Sequence, residues 1–123
     1  MYEVTVVRTF VAWHWLTVPD PGPEGERHSH TFTAEVTLRG PDLNEHGYLV
    51  DIDAVRAGLD RAVARYEDET MNDLPEFEGL NPSAERLARF LTERFDDATD
   101  LDDDVDCRLR LWEDEDAAVA YDP

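Results

Sequence analysis

The chain has 123 residues, enough for one ordinary domain with a modest core and too few for two of usual size. Thirty acidic residues against eleven basic ones give a formal charge of -19, and all eleven basic residues are Arg. That charge excludes a free nucleic-acid binder and a partner of anionic membranes. A 41% hydrophobic and 10% aromatic content excludes a disordered acidic tail.

Carboxylates at this density suit a salt-rich cytoplasm. Near 1 M salt the Debye length falls to about 3 Å, so an acid-coated surface is tolerated and keeps the protein soluble. Most single carboxylates therefore carry no functional information. The lone Cys107 rules out an intramolecular disulfide framework and suits a reducing interior. With no leader-like start and no run of 18 apolar residues, the expectation is a cytoplasmic, halophilic protein with one domain over residues 1–123.

Residues 2–16 are rich in Val, Thr and aromatics without Gly or Pro, and predict a long first strand. Residues 19–27 hold three Pro and two Gly in nine positions and predict a loop without regular structure. Residues 30–40 alternate: Phe32, Ala34, Val36 and Leu38 share one face, and Thr31, Thr33, Glu35 and Thr37 the other. The two strands predict a hairpin with a long, shaped loop. After a turn at Gly40–Pro41, Asp51 is a candidate N-cap, and Ile52, Val55, Leu59 and Val63 fall at helical spacing.

An irregular stretch over 67–80 ends at Asn81-Pro82, which reads as an N-cap followed by Pro at N1 of a second helix. Its apolar stripe is Ala84, Leu87, Ala88, Leu91 and Phe95. Residues 96–106 hold seven Asp in eleven positions. They lack the central Gly and closing Glu of an EF-hand, so they predict a solvated connection. Val105, Cys107, Leu109 and Leu111 then alternate with polar neighbours in a third strand, with Cys107 on the hydrophobic face, and residues 118–121 predict a short fourth. The order is ββααββ: an α+β fold with a four-stranded antiparallel sheet, two helices on one face, and edges that ask for partners.

Three of the four His stand out. His28 and His30 are two apart at the start of the second strand, so their side chains leave the same face. His14 lies near the end of the neighbouring strand. Three imidazoles converging from strand ends can hold zinc with a fourth position open to water or substrate. The same spacing also fits ordinary histidines beside a loop. His46, in a polar turn, receives no role.

With these residues in view, the whole chain resembles the 6-pyruvoyltetrahydropterin and 6-carboxytetrahydropterin synthases. Phe10-Val11-Ala12-Trp13-His14 resembles the family's F-x-A-x-H, and His28-Ser29-His30 its H-G-H, with Ser in place of Gly. Gly47-Tyr48-Leu49-Val50-Asp51 is similar to G-M-V-x-D before the first helix. Met71-Asn72-Asp73 and Asn81-Pro82-Ser83-Ala84-Glu85 resemble L-N and N-P-T-x-E, and Trp112-Glu113 with Ala120-Tyr121 resembles the closing E-T motif and its Tyr. The resemblance implies zinc on His14, His28 and His30, and a pterin ring anchored by Glu113. It also implies the tunnelling fold, in which sheets of three subunits join into a barrel-like trimer. Two trimers then stack into a homohexamer with active sites at subunit interfaces.

The family's proton-transfer set is replaced. Its Cys, four residues before the first His of H-G-H, is Glu24, and its L-D-H reads Tyr66-Glu67-Asp68. Three readings follow from the resemblance. Glu24 is the acid–base group, as in a branch that cleaves dihydroneopterin to 6-hydroxymethyl-dihydropterin. Alternatively, the chain makes 6-pyruvoyl- or 6-carboxytetrahydropterin from dihydroneopterin triphosphate, with carboxylates such as Glu24, Glu67 and Asp68 moving the protons. In the third, it is a catalytically silent pterin- or metal-binding relative.

Overall fold

The computed structural model describes all 123 residues. Four strands, β1 (Tyr2–His14), β2 (His28–Gly40), β3 (Asp106–Trp112) and β4 (Ala118–Ala120), form one antiparallel sheet in sequential order. Helices α1 (Ile52–Ala64) and α2 (Ala84–Ala98) are inserted between the hairpins. The β1–β2 ladder runs unbroken from Tyr2↔Gly40 to His14↔His28. Period-two alternation therefore carries one face continuously from Val6 and Val36, through Phe10, Phe32, Ala12 and Ala34, to the histidines. The helices bury Val55, Leu59, Val63, Leu87, Leu91 and Phe95 against that face. No helix is long and apolar enough to cross a membrane.

Several boundaries differ from those the sequence predicts. β1 stops at His14, because Trp15 N–H donates to Asn72 Oδ1 (3.0 Å) and Asn72 Nδ2 returns a bond to Trp15 O (2.9 Å), which takes residue 15 out of the ladder. The loop at 19–27 contains a 3-10 turn, Gly22–Gly25, entered through Gly22 at φ 66°. The segment over 67–80 holds two more, Met71–Asp73 and Pro75–Phe77. Ile52 is 42% exposed, so the buried stripe of α1 starts at Val55.

The cap of α2 is Ser83, whose hydroxyl accepts from Arg86 N–H (3.3 Å). Asn81 is already engaged elsewhere, since its Oδ1 accepts the Thr17 N–H at 2.9 Å. At the other end α2 runs to Ala98, through the first part of the predicted acidic connection. Asp96 and Asp97 sit poorly at the negative end of a helix. Buried Phe95 and the approach of Thr99 to Gly58 hold the last turn in place, and a Cβ on Gly58 would run into the Thr99 hydroxyl. Cys107 packs partly buried against the core, and burial pushes its thiol up to about 11, leaving it inert at neutral pH.

One partly buried cluster ties the long connection to both helices. Glu76 accepts from Arg65 Nη2 (2.7 Å), Arg65 Nε (3.2 Å), Tyr66 Oη (2.9 Å) and Arg94 Nη2 (3.3 Å). The Arg65 guanidinium above all holds the Glu76 carboxyl down at about 2, from 4.5. A carboxylate depressed in this way stabilises the fold above about pH 4.5 and loses that contribution as pH falls towards 2. Glu76→Gln is expected to cost about 2–3 kcal/mol at neutral pH. Denaturant melts at pH 7, 4 and 2.5 check this: the difference between wild type and variant should shrink towards the lowest pH.

Candidate metal centre

The β1–β2 register places His14 directly opposite His28, with His30 opposite Ala12, all on the core face of the sheet. Ring centroids are 4.5 Å apart for His14–His28, 5.1 Å for His14–His30 and 5.0 Å for His28–His30. One ligand atom from each ring lies within 4.8 Å of the other two. Phe32, in contact with the His30 ring and stacked on Phe10, makes the floor apolar.

Their hydrogen bonds give the rings a polarity. His14 Nδ1 meets the Pro82 carbonyl oxygen at 2.8 Å, and His28 Nδ1 meets that of Glu26 at 2.8 Å. A carbonyl only accepts, so both Nδ1 atoms carry hydrogen and both Nε2 atoms present a lone pair. The Nε2 atoms of all three histidines are buried without a hydrogen-bond partner. Such orphaned acceptors cost about 1–3 kcal/mol each. Three of them facing one another are what a tetrahedral cation with nitrogen preference removes, so the donor set fits zinc. Burial chiefly lowers the His14 pKa, which keeps the imidazole neutral and ready to ligate; the bond to Pro82 opposes that shift.

The groups that orient these rings come from distant segments. The Pro82 carbonyl is fixed where the chain enters α2, and Arg86 Nη1 donates to the adjacent Asn81 carbonyl at 2.9 Å. The Glu26 carbonyl belongs to the β1–β2 loop, which folds back through Leu16 N–H to the Glu24 carbonyl at 2.9 Å. Asn72 and Asn81 bind the backbone of residues 15 and 17 through their side-chain amides, and Pro82 orients His14 through its carbonyl. Sequence pattern gave them no such role, although their motifs marked them.

Glu113 reaches the same place from β3. Leu109 and Leu111 of that strand are buried on the core face, and Glu113 is the next residue in phase. Its Oε1 lies 3.3 Å from His30 Nε2, out of line for a hydrogen bond. Because β3 ends at Trp112 opposite Thr33, the first residues of β2 have no β3 partner. An open groove of about 640 Å³ lies there, lined in part by His30, Thr33, Trp112 and Glu113.

The three carboxylates named for proton transfer are dispersed. Glu24 is exposed on its 3-10 turn, in the loop whose Glu26 carbonyl bonds His28 Nδ1. Glu67 is gripped by Arg8, whose Nη2 lies 3.2 Å from both carboxylate oxygens while its Nε pairs with Asp60 at 3.1 Å. Asp68, exposed at φ 61°, donates its N–H to the Val11 carbonyl (2.7 Å) along the outer edge of β1. The Trp13 N–H donates to the Glu69 carbonyl at 2.9 Å, so the segment that carries Glu67 and Asp68 runs along the last residues of β1.

Residues 3–123 match the family model described as 6-pyruvoyl tetrahydropterin synthase. The chain superposes on the Caenorhabditis elegans 6-pyruvoyl tetrahydropterin synthase with a TM-score of 0.86 at 16% identity, covering 99% of this chain and 95% of that one. A Plasmodium vivax 6-pyruvoyltetrahydropterin synthase, in a variant whose catalytic glutamate is replaced by alanine, matches at TM-score 0.78 and 14% identity. That match covers 98% of this chain and 96% of the other. The Plasmodium falciparum enzyme matches at 0.78 and 12%, with coverage of 98% and 96%.

Proposed function

Because the chain belongs to the 6-pyruvoyl tetrahydropterin synthase family, with Glu24 at the usual Cys position and Glu67-Asp68 at the usual Asp-His pair, we propose that it is a zinc-dependent lyase. Its substrate is the side chain of dihydroneopterin or of its triphosphate. The observation that carries this reading is the set of three inward-facing, orphaned Nε2 atoms beside the Glu113 groove.

His14, His28 and His30 hold the metal, and the Pro82 and Glu26 carbonyls keep the first and second of them in the ligating tautomer. Zinc, when bound, supplies Lewis acidity towards a hydroxyl or carbonyl oxygen of the substrate side chain. Glu113 binds the pterin: a carboxylate accepts two parallel N–H bonds from a 2-aminopyrimidinone edge. Glu24 is the acid–base group that takes a proton from the side chain and returns one. Its place in the loop whose Glu26 carbonyl orients His28 supports this role, as does a family member whose catalytic residue is a glutamate.

Glu67 and Asp68 are the remaining carboxylates of the proton-transfer set. Strand β1 leaves the outer edge of Tyr2–Phe10 free and β4 ends the sheet on the other side, which supports edge-to-edge assembly into a barrel-like trimer and a homohexamer. Such an assembly in a salt-rich cytoplasm accords with the -19 charge.

Product analysis tests the proposal. Zinc-loaded protein in molar KCl is incubated with dihydroneopterin and, separately, with its triphosphate, and the pterins are resolved by chromatography. Hydroxymethyl-dihydropterin from the first is the expected product if Glu24 serves in cleavage. A 6-pyruvoyl or 6-carboxy product from the second means that carboxylates run the other family reaction. No product from either, with zinc bound and the oligomer intact, overturns the enzyme reading and leaves a silent pterin- or metal-binding relative.

A further inference from the structure

The strand register gives Glu113 a second role. It is the third member of a core-facing series, Leu109, Leu111, Glu113, and the register continued past Trp112 sets it level with Phe32, one step along the core face from His30. The Glu113 N–H donates to Ala117 O at 3.1 Å, which fixes its backbone at the start of the β3–β4 turn. The side chain is one-third exposed, and its Oε1 stands 3.3 Å from the Nε2 of His30 without hydrogen-bond alignment. That spacing has a simple geometric meaning. Two donors bonded to one tetrahedral zinc at about 2.0–2.1 Å are separated by about 3.3–3.4 Å, the edge of the tetrahedron. Glu113 thus already stands one ligand edge from a ligating nitrogen, although it meets the cluster only through His30.

We infer that Glu113 is itself the fourth metal ligand in the substrate-free protein, and that a pterin opens this position by taking the carboxylate for its own N–H edge. Both roles need the same two oxygens, so they exclude one another. A carboxylate that closes the coordination sphere protects the metal in the resting protein and strengthens its retention. Its withdrawal frees the fourth position only when the ring is seated. The ligand assignment rests on the 3.3 Å approach to His30 and requires the Glu113 side chain to swing towards His14 and His28; the opening by pterin rests on the function proposed above.

The test uses the full-length protein loaded with Co(II), whose visible absorption reports coordination number and donor set, with neopterin as the probe. Zinc affinity is measured by chelator competition in wild type, Glu113→Gln and Glu113→Asp, each checked by circular dichroism. The expected result is an affinity lowered by more than about 100-fold in both variants, beyond the range for losing a group that only orients a ligand. A change of the cobalt spectrum on adding neopterin is expected in wild type alone. Unchanged metal affinity in both variants, with a cobalt spectrum indifferent to the substitutions, overturns the inference while leaving Glu113 free to serve as a pterin anchor. Lowered affinity with no binding of neopterin supports the ligand assignment and counts against the pterin reading instead.

Discussion

Replacement of any one of His14, His28 or His30 by Ala is expected to abolish stoichiometric zinc retention through gel filtration in chelator-treated buffer. Each substitution removes one of three converging Nε2 donors and leaves two imidazoles whose centroids are 4.5–5.1 Å apart. Loss of a group that merely orients a ligand costs about 10–100-fold in affinity, so loss of the ligand itself should exceed the upper end of that range. The three variants should differ in stability without metal. His14 is 3% exposed and deepest in the core, so His14→Ala leaves a cavity and an unpaired Pro82 carbonyl, whereas His28 and His30 are nearer the surface. Metal analysis of the purified variants decides the ligand set: full zinc occupancy in any of them removes that histidine from it.

Glu24→Gln is expected to lower turnover by about 100-fold or more while zinc content and pterin binding stay near wild type. The substitution keeps the side chain's size and its oxygen acceptor but removes the proton-carrying carboxylate, and general acid–base catalysis contributes about 10²–10⁴-fold. Only the backbone carbonyl of Glu24 holds the loop, through Leu16 N–H, and the substitution leaves that carbonyl intact. A fold effect should therefore be small. Turnover unaffected by Glu24→Gln takes Glu24 out of the mechanism and turns attention to Glu67 and Asp68. Of these, Glu67 is tied to Arg8 and Asp68 is the freer group. Arg8→Ala separates the two: release of Glu67 should change turnover only if that carboxylate takes part.

Much of the fold was legible in local pattern. Alternation in residues 30–40 and 105–111 follows from the two-residue repeat of a strand, and the stripe from Ala84 to Phe95 follows from the helical period. These are properties of a few neighbouring residues, and the elements appeared where the pattern placed them. End points were less legible, because they depend on which polar groups find partners far along the chain. Asn81-Pro82 is a good helix start in isolation. It yields to Ser83 because Asn81 Oδ1 bonds Thr17 N–H and the Pro82 carbonyl bonds His14, 64 and 68 residues away respectively. The three turns of 3-10 helix arise in the same way, inside loops whose Pro and Gly content excluded only longer regular elements.

Residue types at the site follow from primary structure alone. Three histidines near two strand ends, a Glu after the third strand, and carboxylates in place of Cys and Asp-His are all visible there. What those residues can do was settled only by folding. A strand displaced by one residue would have turned its histidines to the opposite face, and the observed register His14↔His28 puts all three on one face. Contacts from α2 and the β1–β2 loop set the tautomers, and the end of β3 brings Glu113 to 3.3 Å from His30. The same folding holds Glu67 in an ion pair with Arg8 and leaves Glu24 exposed on the β1–β2 loop. One cause is common to all of these. Side-chain chemistry is encoded locally, but lone-pair direction, desolvation and pairing depend on what the rest of the chain brings within about 3 Å.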